Sequence, residues 1–163
     1  MRHKRIIYII VSIYSLILFF LLSGCRDDLL PSKFIDRKDI IKQYKDNTKR
    51  FERVARYLKD DKNNIFIEKT DKKKFTIQKP GKEGLDIIEI DNEKVNEDIG
   101  YILNDLSFEY IYEEGTNGVF FVRQTSLRYA SGIVYSKDGE KPDWGTIEEI
   151  EAIEDLWYWY KGY

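Results

Sequence analysis

The segment Phe108-Glu109-Tyr110-Ile111-Tyr112-Glu113 alternates aromatic side chains with acidic or aliphatic ones. Successive side chains of a β-strand point to opposite faces of its sheet, so this two-residue period predicts a half-buried strand. A glycine-flanked turn at 115–118 follows, and residues 119–125 and 129–136 are again rich in strand-forming side chains. The three segments together predict a three-stranded antiparallel meander.

Two shorter strand-like segments precede this meander. Residues 65–69 and 75–79 flank a charged turn at 70–74, which predicts a β-hairpin. Pro80-Gly81 ends the second segment, and residues 85–90 form a third short apolar run. These segments add further antiparallel strands to the predicted sheet.

Two helices are predicted on the N-terminal side of the meander. From Asp36 to about Lys59, apolar side chains recur at helical spacing. They are Ile40, Ile41, Tyr44, Phe51, Ala55 and Leu58. A second helix is expected after a cap at Asp91 or Asn92. Its core-facing side chains would be Val95, Ile99, Ile102, Leu103 and Leu106.

The last 20 residues predict a short helix and a final strand. Thr146-Ile147-Glu148-Glu149 fits a capping box, which indicates a helix through about Glu154. Trp157-Tyr158-Trp159-Tyr160 has the composition of a strand. We therefore expect an α+β fold, in which an antiparallel sheet (hairpin plus three-stranded meander and a C-terminal strand) has two main helices packed on it.

The N-terminus carries a targeting pattern. Basic residues at positions 2, 4 and 5 precede an apolar run from Ile6 to Leu22, which ends in Leu22-Ser23-Gly24-Cys25. This arrangement resembles the signal of bacterial lipoproteins. The resemblance implies cleavage after Gly24 and diacylation of the Cys25 thiol, and two acyl chains give stable membrane attachment. An uncleaved anchor is the alternative, although 17 apolar residues are short against the roughly 20 of a usual span.

The resulting organisation has three parts: a signal peptide at 1–24, a tether at 25–35 and a single α+β domain at 36–163. We expect a lipid-anchored protein on the extracytoplasmic face of the cell membrane. Removing residues 1–24 takes away three basic residues and no acidic one, which changes the net charge from −2 to −5. Residues 33–74 carry a net +7 and residues 75–163 a net −11. The basic part suits an anionic leaflet or is simply a solvated helix face, and no nucleic-acid partner is expected.

The mature chain has no histidine and no cysteine other than Cys25, which excludes several chemistries. Cys25 is the only cysteine, and the only histidine, His3, lies in the signal peptide. Disulfides, histidine-based triads, Cys–His nucleophiles and His/Cys zinc sites are therefore excluded. The sequence predicts no catalytic residue, no metal and no cofactor.

Acidic residues are the remaining candidates for chemistry. Two carboxylates in a cleft can hydrolyse a glycoside, and Glu109 with Glu113, or Glu89 with Asp91, are the pairs to consider. Exposed glutamates that serve solubility are the alternative. Residues 138–143 superficially resemble a calcium loop, but the ligand spacing of that motif is absent.

Aromatic residues are concentrated in the C-terminal third, where 13 lie between Phe108 and Tyr163. They either fill the core of a small sheet or form a stacking surface for a sugar or peptide. In a strand, Trp157 and Trp159 share one face while Tyr158 and Tyr160 share the other, so one pair points away from the core. Trp144, Trp157 and Trp159 are the candidate ligand face.

These observations favour a non-enzymatic lipoprotein that binds a protein or an envelope glycan, a class that includes inhibitors and immunity proteins. The alternatives are a small carboxylate-based hydrolase of cell-wall glycosides and a structural or assembly lipoprotein. The segments Gly132-Ile133-Val134-Tyr135-Ser136 and Leu156-Trp157-Tyr158-Trp159-Tyr160 resemble small uncharacterised lipoproteins of bacteria. This second resemblance implies no activity.

Overall fold

The strands of the described chain all pair antiparallel in one sheet, in the order β3-β2-β1-β4-β5-β6-β8-β7. The computed structural model describes residues 35–59, 64–70, 75–82, 84–114, 118–125, 129–142 and 146–163. Residues Ile35–Tyr163 form one compact unit. The strands are β1 Ile65–Glu68, β2 Thr76–Pro80, β3 Leu85–Glu89, β4 Tyr110–Glu114, β5 Gly118–Thr125, β6 Ala130–Ser136, β7 Ile147–Glu154 and β8 Trp157–Gly162.

Three α-helices accompany this sheet in the described residues: α1 Arg37–Asp46, α2 Thr48–Leu58 and α3 Glu93–Gly100. A π-helical turn, Tyr101–Asp105, continues α3. The predicted α+β fold class is confirmed, as are the hairpin β1–β2 and the meander β4–β5–β6. No helix among the described residues is long and apolar enough to cross a membrane.

The long N-terminal helix predicted from the sequence is two helices that meet at Asn47. The backbone of Asn47 leaves the helical region (φ −131°, ψ 19°), and its side-chain amide donates to the Gln43 carbonyl at 2.9 Å. Such local bonds let asparagine compete with helical hydrogen bonding. The break leaves the apolar stripe intact, because Ile40 and Tyr44 of α1 and Phe51 of α2 are all buried.

The predicted cap of α3 is confirmed at Asn92, whose side-chain oxygen accepts from the Val95 N–H at 3.1 Å. Gly100 ends α3, and a Cβ added there would lie 3.2 Å from the ring of Phe75. The glycine therefore allows the helix to approach the residue that precedes β2. Val95 and Ile99 are buried below it.

One face of the sheet, which we call the helix face, carries a row of aliphatic and aromatic side chains. The strand register aligns this row across the sheet, and every member from β2 to β8 is buried. Its members are Ile88, Ile77, Ile67, Ile111, Phe121, Ile133 and Trp159. The buried apolar side chains of all three helices belong to the same cluster, so this face carries the main hydrophobic core.

The opposite face, which we call the second face, has its own row in the same register. This row consists of Ile87, Gln78, Phe66, Tyr112, Phe120, Val134, Tyr158 and Ala152. Phe120, Val122, Val134 and Tyr160 form a separate buried cluster here, to which no described helix contributes. The second face is buried at β5, β6 and β8 and becomes exposed toward β3.

The helix predicted for 146–154 is wrong, because Ile147–Glu154 is a strand that pairs with β8. The isoleucines at 147, 150 and 153 recur every three residues, which imitates a helical stripe. Register shifts between Ile147 and Glu149 and between Ala152 and Glu154 each insert one residue into the strand. The extra residue between Ile147 and Glu149 lets Ile147 and Ile150 share the second face although they are three positions apart, while Ile153 packs against the main core.

A buried carboxylate joins α2 to α3. Asp98 has no exposed surface and accepts from the Arg50 guanidinium at 2.7 Å and from Arg53 Nε at 2.5 Å. The hydrogen bond to Asp98 raises the pKa of Arg53. Because both guanidiniums keep partial contact with water, removal of the carboxylate would leave them partly solvated.

We predict that Asp98→Asn lowers the free energy of unfolding by about 2 kcal/mol, since it removes two charge-assisted hydrogen bonds from a buried acceptor. Asp46→Asn is the matched control, because it breaks the exposed Lys42–Asp46 pair and should cost at most about 0.5 kcal/mol. Urea denaturation measures both values. Equal effects for the two variants would contradict a structural role for Asp98.

Candidate binding groove

An open groove with a volume of about 570 Å³ lies on the second face, at its exposed end. Its lining comes from β1, β2 and β4, the start of β3 and the residue before β1. The lining residues are Asn64, Ile65, Phe66, Gln78, Pro80, Leu85, Tyr110, Tyr112 and Glu113. The lining is mainly apolar with a few polar groups, which is the usual composition of a ligand site.

The aromatic rings of the groove continue into the buried cluster of the second face. Phe66 lies 5.1 Å from Tyr110 and Tyr110 lies 6.0 Å from Tyr112, measured between ring centroids. Tyr112 stacks on Phe120 at 4.7 Å with an angle of 9° between the ring planes. These contacts fix the rings, so the groove has a preformed aromatic wall.

Burial changes the ionisation of two tyrosines on this face. The pKa of Tyr110 is raised by burial and, to a lesser extent, by the nearby charge of Glu109. Burial raises the pKa of Tyr160 well above its usual value. The shifts extend the pH range in which both hydroxyls are neutral hydrogen-bond donors to higher pH.

The edge strand β3 borders the groove and exposes large apolar side chains. Leu85 is 67% exposed, Ile87 is 69% exposed and Ile88 is 41% exposed. Leu85 lines the groove, and Ile87 lies beside Gln78 in the row of the second face. Together with the groove, Leu85 and Ile87 make a continuous apolar surface at one corner of the sheet, whereas Ile88 belongs to the row of the helix face.

The backbone of β3 directs the polar groups of alternate residues away from β2. Ile90 N donates to Phe75 O at 3.2 Å and Gly81 N donates to Gly84 O at 2.6 Å, which fixes the hydrogen-bonded positions of the β2–β3 ladder. Hydrogen-bonded and non-hydrogen-bonded pairs alternate in an antiparallel ladder. The N–H and C=O groups of Leu85, Ile87 and Glu89 consequently point away from β2, where the described chain supplies no further strand.

The other edge of the sheet, β7, is protected. It carries glutamates at 148, 149, 151 and 154 and contains both register shifts. Charged side chains and bulges are the usual devices that prevent pairing of an edge strand with another chain. The edge strand β7 therefore carries charges and bulges that oppose pairing with another chain, whereas the edge strand β3 carries exposed apolar side chains.

Two of the three tryptophans predicted as a ligand face are buried. Trp157 and Trp159 are 3% and 5% exposed and belong to the main core beneath the helices. Their strand is covered by α1, since Trp157 packs on Tyr44 with 4.8 Å between ring centroids. Tyr158 and Tyr160 are the pair on the second face, and Trp144 lies outside the described residues.

The glutamates considered for catalysis are not brought together. Glu113 is buried on the helix face and pairs with Lys137, which corrects its expected place on an exposed face. Glu109 is exposed and accepts from the backbone N–H of Thr125 at 3.1 Å. Asp91 accepts from the Tyr57 hydroxyl at 3.3 Å, and Glu89 lies on the exposed strand β3.

A second cavity, of about 360 Å³, lies between α2 and the β7–β8 turn. Glu52, Glu154 and Asp155 line it together with Arg56, which pairs with Glu52 at 3.5 Å. The Tyr44 hydroxyl donates to Glu154 from the buried side. Glu154 thus joins α1 to the sheet, whereas the Glu52–Arg56 pair lies within α2.

Within the described part of the chain, no three acidic, histidine or cysteine side chains are grouped so as to hold a metal ion. In the turn after β6, Asp138 accepts from the Ser136 hydroxyl at 3.1 Å and from the Glu140 N–H at 2.9 Å. These bonds, the backbone one first, lower the pKa of Asp138. Asp143, Gly24 and Cys25 lie outside the described residues.

The groove was not predicted from the sequence, although the composition of β1 indicates an apolar surface at this position. Residues 65–67 are Ile-Phe-Ile, so β1 carries apolar side chains on both faces. A strand that is apolar on both sides is expected between two covered surfaces. Here only the helix side is covered by described helices, and Phe66 therefore faces the groove.

Comparison of this chain with protein-family models, with curated proteins and with solved structures gave no match. The groove and the edge strand therefore have to be interpreted from their own chemistry.

We predict an alternating pattern of amide hydrogen exchange along β3. Asp86 and Ile88 donate to β2 and should exchange slowly, whereas Leu85, Ile87 and Glu89 should exchange at least about tenfold faster. Residue-resolved exchange followed by NMR measures this pattern. Uniform protection of all five amides would show that another segment already covers the outer side of β3.

The Tyr44–Glu154 contact predicts an alkaline effect on stability. Burial, followed by the bond to Glu154, raises the pKa of Tyr44 in the folded state. A raised pKa stabilises the fold below the unfolded value of about 10 and loses that contribution as the pH rises further. We expect Tyr44→Phe to cost about 1.5 kcal/mol at pH 7, with the deficit relative to wild type shrinking near pH 11. A deficit that stays constant between these pH values in urea denaturation would contradict this account.

Proposed function

We propose that this protein is a lipid-anchored, extracytoplasmic binding protein without enzymatic activity, and that it holds a protein or cell-envelope ligand in the groove of the second face. The observation that supports this proposal most strongly is the preformed aromatic groove beside the exposed apolar strand β3. Monomeric soluble proteins rarely leave such a continuous apolar surface exposed unless it has a partner.

The disposition of the charged residues supports binding rather than hydrolysis. Glycosidases place two carboxyl groups on either side of the scissile bond. In this protein, Glu113 is paired with Lys137 and Glu109 is bonded to Thr125. The groove is lined mainly by rings, aliphatic side chains and two amides, which bind and orient a ligand. Its one carboxylate, Glu113, is the one that pairs with Lys137.

The membrane location in this proposal rests on the segment Leu22-Ser23-Gly24-Cys25 that follows the apolar run. We expect Cys25→Ala to abolish incorporation of an alkyne-labelled fatty acid in bacterial cells, because the acylated thiol is absent. Ser23→Ala is the matched control, since it keeps a small residue before the cleavage site and should retain the label. Unchanged labelling of the Cys25→Ala protein would refute lipid attachment at this position.

Binding in the groove can be tested in the full-length protein with a photo-crosslinking amino acid in place of Gln78. We expect a crosslinked product of defined mass in cells, and we expect Leu85→Glu to reduce its yield about tenfold by placing a charge on the apolar wall. Tyr163→Glu is the matched control, because Tyr163 is a large exposed side chain outside the groove. A yield that falls equally in both variants, or in neither, would contradict ligand binding at the groove.

A further inference from the structure

We propose that the outer surface of α1 and α2 docks on the headgroups of an anionic phospholipid bilayer and thereby holds the domain with its second face away from the membrane. The contact surface is one row of basic side chains, which we call the basic stripe. It consists of Lys38, Lys42 and Lys45 of α1 and Lys49, Arg53 and Arg56 of α2. The inference rests on the membrane attachment in the proposed function and does not depend on the groove ligand.

The basic stripe lies opposite the buried side of both helices. Its members follow each other at intervals of three or four residues, and side chains at such intervals share one face of a helix. All six are exposed, whereas Ile40, Tyr44 and Phe51 on the other side have no exposed surface. Because the apolar side stays continuous across the break at Asn47, the basic side is continuous as well.

Half of the charges in the basic stripe are not neutralised within the described chain. The ammonium groups of Lys38, Lys45 and Lys49 make no ion pair with another described residue. The other three members are paired, namely Lys42 with Asp46, Arg53 with Asp98 and Arg56 with Glu52. Residues 36–59 as a whole contain nine basic and four acidic side chains. The two helices therefore keep a surplus of positive charge that an anionic surface complements.

Acidic side chains border the basic stripe and limit the orientations that an anionic surface permits. On one side, α3 packs on α2 and exposes Glu93 and Glu97. On the other side, β7 carries Glu149 and Glu151, and Glu151 pairs with Arg37 at the start of α1. A bilayer that met α3 or β7 would face like charges, so the favourable contact is confined to the stripe between them.

The length and position of the basic stripe favour a bilayer as its occupant. Residues 38–56 are 19 helical positions, which extend over roughly 28 Å. Arg56 borders the second cavity, and the other five members line neither described cavity, so the charges follow a line that suits an extended surface. Cys25 precedes α1 by 12 residues, a stretch that spans at most about 43 Å. Attachment at Cys25 therefore keeps the stripe close to the headgroups, where weak electrostatic attraction is effective.

Docking through α1 and α2 leaves the candidate binding surface accessible. The helices cover the helix face of the sheet, and the groove lies on the second face. Leu85 lines that groove, and Ile87 lies beside it in the same row. A ligand outside the membrane can thus reach the groove while the basic stripe stays on the headgroups.

The test uses the full-length protein in nanodiscs of phosphatidylcholine alone or of equal parts phosphatidylcholine and phosphatidylglycerol. Mass spectrometry follows the acetylation rate of each lysine. We expect Lys38, Lys45 and Lys49 to react at least about threefold more slowly in the anionic nanodiscs. Lys94, an exposed lysine of α3, should react equally in both. Salt at about 1 M shortens the Debye length to about 3 Å and should remove the difference.

Two double variants of equal charge test whether the basic stripe itself makes the contact. Lys45→Gln with Lys49→Gln removes two unpaired members, and we expect the protection of Lys38 in anionic nanodiscs to fall at least about twofold. Lys94→Gln with Lys141→Gln is the matched control, because both are exposed lysines outside the stripe. This control should leave the protection of Lys38 unchanged.

The orientation of the domain is read from a lipid that carries a gadolinium chelate on its headgroup. In anionic nanodiscs, this lipid should broaden the amide signals of Lys49 and Arg53 on α2 and leave those of Ile87 and Ile88 on β3 sharp. Broadening of β3 with sharp signals from α2 would place the opposite side on the membrane and would overturn the inference.

The remaining outcomes separate this inference from the proposed function. Equal acetylation of the stripe lysines in the two kinds of nanodisc, or equal protection of Lys94, would overturn the inference. Protection that appears in cells and not in anionic nanodiscs would assign the stripe to an acidic protein and would overturn it too. Absence of a crosslink from position 78 would refute the groove ligand alone, because it leaves the acetylation pattern unchanged.

Discussion

The burial of one row of apolar side chains beneath three helices is the constraint on which the rest of the described structure depends. Ile67, Ile111, Phe121 and Ile133 are adjacent in this row and fully buried. Because side chains alternate along a strand, a slip of one residue would move the whole row to the opposite face. The same register therefore fixes which side chains form the second face, with its groove.

The groove and the open edge follow from this arrangement rather than from a separate motif. Helices cover one face, so the rings of Phe66, Tyr110 and Tyr112 form a wall on the other. The sheet ends in two edges, and its acidic, bulged edge β7 is protected while β3 keeps exposed apolar side chains. Stabilising contacts such as Asp98 with Arg50 are concentrated on the helix side. A partner could thus bind the second face without disturbing the main core.

Features set by local signals could be predicted from the sequence. Asn92 as a helix cap, the hairpin β1–β2 and the meander β4–β6 each depend on residues close together in the chain. Strand β7 could not be predicted, because its isoleucines recur every three residues as in a helix, and the bulges that fit this spacing to a strand arise in the pairing with β8. The turn between these strands was also hard to recognise, because its left-handed position (φ 64°) is occupied by Leu156 and not by glycine.

The candidate site was harder to predict than the fold, since it depends on which face the helices cover. Trp157 and Trp159 alternate with Tyr158 and Tyr160, and periodicity alone cannot tell which pair lies inside. The structure places the tryptophans in the core because α1 packs on them through Tyr44. The burial of Glu113 depends likewise on a distant partner, Lys137.

The most direct test of this account is solvent paramagnetic relaxation of isoleucine methyl groups in the presence of a soluble gadolinium chelate. Strong relaxation is expected for Ile87 and Ile88, which are exposed on β3. Weak relaxation is expected for Ile67, Ile111 and Ile133, which lie beneath the helices. Equal relaxation of the two groups, or protection of Ile87 together with exposure of Ile67, would contradict the register on which the groove and the open edge depend.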